Sequence, residues 1–409
     1  MANALTLPSE AATPSPLADA PMPLSARLTQ TAVIAYVAAT WLGVMMRLEM
    51  IGVGTGVPFD HLLHAHSHTL YFGWVALGLL VAALSGMSRV TSPLRWAATV
   101  LIAMTPLLFL GFLATGYHPA TIVVSTVVMM AWYVVAVCWW RQLPNFEKEA
   151  ALAYRYGLGY LVASSIGIWT LAAVQATGGT PLAEQLAVHA FLIGFGWFFI
   201  FAVVGAVLSA KGRLGLALDP GRMRSILHWW AAAAWATFPL GVVGGPEAAG
   251  LGPVSRVAGM VLLIPGTMFV VQLWSAASAA RMRLLMRLAA GWFAVGAATT
   301  AAAAFGGSAA LLAGGRQGIV IHLHAVFVGF VTPLLVLALS RRSAGVLLFH
   351  HGALGVMLGA LVVVILGQPN LGMNVAALAA VLLWVAGIGW AWPIARDSVR
   401  PRTRRRSVQ

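Results

Sequence analysis

The residues best equipped for chemistry are histidines at the mouths of apolar runs. His64-Ala65-His66-Ser67-His68 places three imidazoles directly before Thr69-Leu70-Tyr71-Phe72-Gly73-Trp74-Val75-Ala76-Leu77-Gly78-Leu79-Leu80. His322-Leu323-His324 opens a second such run, and His189 a third. Imidazole is the commonest side-chain metal ligand, and an ionisable group at membrane depth is a functional-site candidate by default. On a helix, residues i and i+2 lie about 200° apart around the axis. His322 and His324 therefore point to opposite sides of their helix, as do His66 and His68, and each pair suits two separate ligands rather than one shared ion. His64 and His68, at i and i+4, share a face if the helix already includes His64.

The elements that carry these histidines are membrane spans. Of 409 residues, 60% are hydrophobic and 8% charged, against about 25% charged in a soluble domain. The fold class expected is an all-α polytopic membrane protein, with the lipid bilayer as its surroundings. The net charge of +14 falls mostly in short loops, which is topology information and not a nucleic-acid stripe. The single cysteine, Cys138, excludes internal disulfides, multi-thiolate zinc sites and iron–sulfur clusters. Residues 1–28, rich in Ala, Pro and Ser, read as a disordered cytoplasmic tail, 29–396 as the transmembrane domain, and 397–409 as a basic cytoplasmic tail.

Twelve apolar segments approach the ~20 residues needed to cross a bilayer: 30–52, 64–86, 95–115, 120–140, 152–176, 185–209, 226–244, 257–279, 285–306, 317–340, 345–367 and 373–395. One set of loops holds Arg89, Arg95, Arg141, Lys148, Lys211, Arg213, Arg222, Arg224, Arg281, Arg283, Arg341 and Arg342; the other holds little beyond Asp60, Glu184, Glu247, Arg256 and Arg316. By the positive-inside rule both termini are cytoplasmic. His64, His66, His68, His189, His322 and His324 then share the outer level, with His118 in an outer loop. His68 and His189 are 121 residues apart, and His189 and His324 are 135 apart, four helices in each case. Gly73, Gly194 and Gly329 each follow the histidine by five residues and precede an aromatic. The pattern predicts a threefold internal repeat, three four-helix arcs with pseudo-threefold symmetry.

Gly318-Ile319-Val320-Ile321-His322-Leu323-His324-Ala325-Val326-Phe327-Val328-Gly329-Phe330-Val331 resembles the tenth helix of heme-copper oxidase subunit I, closest to the C-type oxidase and nitric oxide reductase branches. The resemblance implies heme b, one or two copies, with His68 and His324 as an axial pair and His322 as proximal ligand of a second heme. It places His189 where the family supplies a copper ligand, and makes copper a further candidate metal. His64 and His66 are candidate metal ligands or partners of the ligands. His189-Ala190-Phe191-Leu192-Ile193-Gly194-Phe195 is also similar to NnrS-type membrane proteins, which are linked to nitric oxide. The setting this implies is a bacterial cytoplasmic membrane, with an electron-donor protein or a small gas ligand as partner.

The sequence departs from the oxidase pattern where oxygen chemistry would need it. The seventh segment reads Leu240-Gly241-Val242-Val243-Gly244-Gly245-Pro246-Glu247, without the family's histidine pair, and neither 185–209 nor 226–244 contains a tyrosine. Acidic residues are nearly absent from the spans; Glu49 is the exception. If the chain is an enzyme, it reads as a heme-dependent oxidoreductase in electron transfer or nitric oxide handling, and not as a proton-pumping oxygen reductase. The competing reading is a copper-binding or copper-transporting protein using the outer histidines with Met45, Met46 and Met50, since thioethers suit Cu(I). His118 reads as a loop residue, His228-Trp229-Trp230 as an interfacial belt, and His350 and His351 as interfacial groups at an inner helix end.

Overall fold

In a computed structural model of the chain, residues 23–178, 180–236, 252–306, 317–340 and 343–399 are described. Among them there is no strand beyond one isolated bridge, Leu216 with Ala277. The helices are α1 (Leu24–Met50), α2 (Phe59–Leu84), α3 (Ser92–Thr115), α4 (Pro119–Trp140), α5 (Lys148–Thr177) and α6 (Pro181–Ser209). They continue with α7 (Pro220–Ala236), α8 (Gly252–Ser275), α9 (Ala280–Gly306), α10 (Gln317–Leu339), α11 (Ala344–Ile365) and α12 (Pro369–Val399). Ten of them, all but α7 and α8, are long and apolar enough to cross a membrane.

Several ends follow from local chemistry. Proline opens α4 and α6, where its missing N–H is no loss and its φ is already helical. Gly178 closes α5 at φ 68°, returning its N–H to the Val174 carbonyl, a left-handed cap that glycine adopts without strain. α1 starts at Leu24, directly after Pro23, so residues 24–28 belong to a helix and not to the expected tail. α2 starts at Phe59, after Pro58, so the histidine cluster lies inside the helix and not before it. The expected seventh span is helical to Ala236. Leu240–Glu247, and the end of the run from Ala298 to Gly314 beyond Gly306, lie outside the described residues.

Two helices depart from the α pattern at matched places. α2 widens into a π-helix over Thr69–Ala76, directly after His68, and α10 does so over His324–Val331. Each is followed by eight ordinary helical residues, Leu77–Leu84 and Thr332–Leu339. π segments are rare and are found often at functional sites. α6, which carries His189, is α-helical throughout.

These three helices meet in the core. The Tyr71, Phe199 and Phe327 rings form a triangle, with centroids 5.8 Å (71–199), 5.3 Å (71–327) and 5.9 Å (199–327) apart. Beside it, buried Trp74 donates its indole N–H to Thr332 Oγ1 at 3.1 Å, joining the two π-containing helices. The three spaced glycines each admit the preceding helix. A Cβ on Gly73 would lie 2.6 Å from Ala35 Cβ of α1, one on Gly194 2.7 Å from Ser164 Cα of α5, and one on Gly329 2.5 Å from the Trp292 ring of α9. Small residues allow such close approach in membrane helices.

Candidate cofactor site

With α2 helical from Phe59, its histidines divide between two sides. His64 and His68 share a face, their rings 6.4 Å apart. His68 stacks on Phe112 of α3 at 4.1 Å and meets the Tyr117 hydroxyl through Nε2 at 2.9 Å. His64 lies edge-on to the same tyrosine at 4.4 Å. The Nδ1 atom of His68 is buried and has no hydrogen-bond partner among the described residues. Tyr117 stands in the loop between α3 and α4, where partial burial raises its phenol above the ordinary range.

His66 turns the other way, against α1. Its Nδ1–H donates to the Ala39 carbonyl at 2.7 Å. Gly43, one turn further along α1, makes room: a Cβ there would sit 3.2 Å from His66 Cε1. The two α10 histidines also diverge, as their spacing requires. His322 faces α9, where Thr299 Oγ1 donates to the Gly296 carbonyl at 2.8 Å. That leaves the threonine oxygen to accept from His322 Nδ1–H at 2.8 Å, with the Gly296 carbonyl also in reach at 3.2 Å. His324 Nδ1–H donates to its own helix, to the Val320 carbonyl at 2.8 Å.

His66, His322 and His324 thus share one arrangement. Nδ1 carries the proton and is held by a protein oxygen, so the neutral ring presents its lone pair at Nε2, which bonds to no described residue. Metal-ligating histidines are oriented in this way by their second ring nitrogen. His68 differs, because Tyr117 occupies its Nε2. The structure thus sets His68 with His64 and Tyr117, and turns His66 to α1. His189 lies on α6, and its side chain is outside the described residues.

Arg47 is the unexpected member of the site. It is 6% exposed, on the last turn of α1. Its hydrogen bond is Nη1 to Met50 Sδ at 3.4 Å, and it forms no ion pair with a described residue. The nearby Glu49 is held by Thr55, through its backbone N–H and its hydroxyl. Sequence reasoning passed over Arg47 because one arginine near a helix end reads as an interfacial anchor. Among the described residues, no three His, Cys, Asp or Glu side chains gather as a metal-ion site.

The histidines set aside as peripheral have other roles. His118 caps α4, its Nδ1 accepting from Ala120 N–H at 3.3 Å. His61 donates to the Leu113 carbonyl at 3.3 Å. His228 meets the Tyr156 hydroxyl at 2.6 Å, while Trp230, expected in an interfacial belt, is buried against Phe269 and Phe293. His350 and His351, expected at an inner helix end, are 0% and 3% exposed inside the helix bundle. Position along a span sets depth, and these two side chains turn inward from an inner half-helix. Comparison with protein-family models gives no match, and comparison with curated proteins gives no significant relative.

Proposed function

We propose that the chain is a heme-binding integral membrane protein that holds one or two b-type hemes at the histidine level. The observation that carries this is the set of three imidazoles, His66, His322 and His324, each fixed with Nδ1–H on a protein oxygen and with Nε2 bonded to no described residue. His322 and His324, on opposite sides of α10, would each serve a different iron. α2 would supply a second histidine to the heme held by His324. The resemblance to heme-copper oxidase subunit I assigns that role to His68, whereas Tyr117 occupies the Nε2 of His68 and no described residue bonds the Nε2 of His66, which favours His66. Bound heme supplies one-electron redox chemistry and an iron position for a small gas, in nitric oxide handling or electron transfer. The levers left to the protein are axial-ligand identity and burial.

Arg47 favours heme over a bare copper ion. A buried guanidinium without an ion pair among the described residues repels a cation, and heme brings carboxylates that would pair with it. In this reading α7 and α8 complete twelve spans, in three four-helix units around the contact of α2, α6 and α10. The basic loops then face the cytoplasm of a bacterium, with both termini. The matched π segments and the three glycine contacts support the repeat.

The test is protein purified from heme-replete cells, with its reduced-minus-oxidised absorbance spectrum and its heme, iron and copper content. Expected is a b-type spectrum, altered in H322A and H324A, with the comparison of H66A and H68A deciding which α2 histidine binds. Protein free of heme, or spectra unchanged in both α10 variants, would refute it. Copper without heme absorbance would favour the copper-binding alternative.

A further inference from the structure

The π segment of α10 leaves a mark on its neighbours. At its end Thr332 N–H returns to the Phe327 carbonyl, five residues back. The next donor in that pattern is Pro333, which has no N–H. The Val328 carbonyl is thus without its main-chain partner, and His350 Nε2–H fills the gap from α11 at 3.0 Å. This bond fixes the ring: a carbonyl only accepts, so His350 carries its proton on Nε2 and a lone pair on Nδ1. That Nδ1 is buried with no partner among the described residues.

The adjacent imidazole is fixed in the complementary sense. Trp292 Nε1–H donates to His351 Nδ1 at 3.0 Å. An indole nitrogen is a donor only, so His351 carries its proton on Nε2, which is also buried without a partner. One ring therefore offers an acceptor and its neighbour a donor, 6.0 Å apart between centroids and at 81°. A buried polar atom left unpaired costs about 1–3 kcal/mol, and such atoms are commonly satisfied by internal water. A metal ion does not suit the pair, because His351 would have to lose its Nε2 proton while Trp292 holds Nδ1.

Val328 is four residues beyond His324, about 6 Å further along α10, which puts the pair near the middle of that span. Among the described residues, the titratable groups on the helices packed around it are His322 and His324 on α10, Arg281, Arg283 and Arg287 at the start of α9, and Arg396 and Asp397 at the end of α12. Among the described residues none of them hydrogen-bonds to either ring; the rings meet Val328 and Trp292 instead.

We infer that His350 and His351 form a proton site inside the helix bundle, beside the middle of α10, where one internal water accepts from His351 Nε2–H and donates to His350 Nδ1. As the pH falls, His350 takes up one solvent proton at Nδ1, relayed through that water so that the water stays neutral, and becomes an imidazolium with both nitrogens protonated. His351 does not titrate in this step, since Trp292 occupies its only lone pair. The site is separate from the proposed heme ligands and does not depend on heme.

The experiment is solid-state NMR of the full chain, labelled with 15N-histidine, in lipid vesicles with and without heme. Expected is one buried histidine with an unprotonated Nδ1 that exchanges magnetisation with water and gains a second proton as pH falls. The signal is lost in H350Q, whose amide still donates to Val328. In H351F the His350 signal remains but its water contact disappears, which serves as the decisive variant if H350Q does not fold. No buried histidine in contact with water, or a signal unchanged in H350Q, or a water contact that survives H351F, would overturn the proposal. Loss of heme with the signal intact would count against the heme reading alone.

Discussion

Arg47→Met should have opposite effects on the heme-free and heme-bearing protein. Arg47 is 6% exposed and has a thioether where a buried cation would have an anion. Methionine keeps an unbranched apolar stem and removes the charge. Exchanging buried ionic groups for apolar residues of similar volume gains about 1–4 kcal/mol, while a buried ion without its partner is strongly destabilising. The heme-free R47M protein should therefore be more stable than the parent by about 2 kcal/mol, within that range. With heme bound the sign reverses, because a hydrogen bond to a charged group contributes about 1.5–3 kcal/mol. Losing that amount weakens heme retention by about tenfold to a hundredfold. The assay is unfolding of detergent-solubilised protein from heme-depleted cells, followed by tryptophan fluorescence, together with the heme-to-protein ratio after dilution of protein from heme-replete cells. A less stable heme-free R47M protein, or parental heme retention, would refute the role given to Arg47.

Three further expectations bear on packing and on ligation. T332V strands the buried Trp74 N–H and should lower stability by about 1 kcal/mol, as interhelical membrane hydrogen bonds do, while T332S restores it; equal unfolding of the two variants would count against the bond. G194A puts a Cβ 2.7 Å from Ser164 Cα, so backbone must move, and a loss of about 1–3 kcal/mol is expected. G159A, with nothing within 4 Å of the added carbon, should be neutral or gain up to about 1 kcal/mol, and the two unfolding curves are compared directly. Removing the Thr299 hydroxyl in T299V leaves His322 with the Gly296 carbonyl alone; the expected outcome is retained heme with a shifted spectrum, and an unchanged spectrum would exclude Thr299 from tuning His322.

Much of the frame is legible in the chain because membrane spans are written in length and apolarity. The divergence of His66 from His68, and of His322 from His324, follows from helix geometry and needs no partner to be known. What the spacing could not show is which neighbour each ring meets. His66 bonds to Ala39 because Gly43 admits its ring to α1, and that gap is invisible until α1 and α2 are side by side. The π segments are hidden for a related reason: their apolar residues satisfy either winding, and Pro333 is the one local sign of a disturbed hydrogen-bond pattern. His350 and His351 were misread because a position seven residues into a span gives depth but not direction. Burial of Arg47 was illegible because the single charge offers no periodic pattern, and only the surrounding helices enclose it.

The triangle of Tyr71, Phe199 and Phe327 has a consequence for traffic through the molecule. Tyr71 and Phe199 are also braced by Phe195, at 6.4 and 4.6 Å. Together they form a septum where α2, α6 and α10 meet. The three rings fill the contact of α2, α6 and α10, so anything crossing the bundle along that contact would have to displace at least one of them.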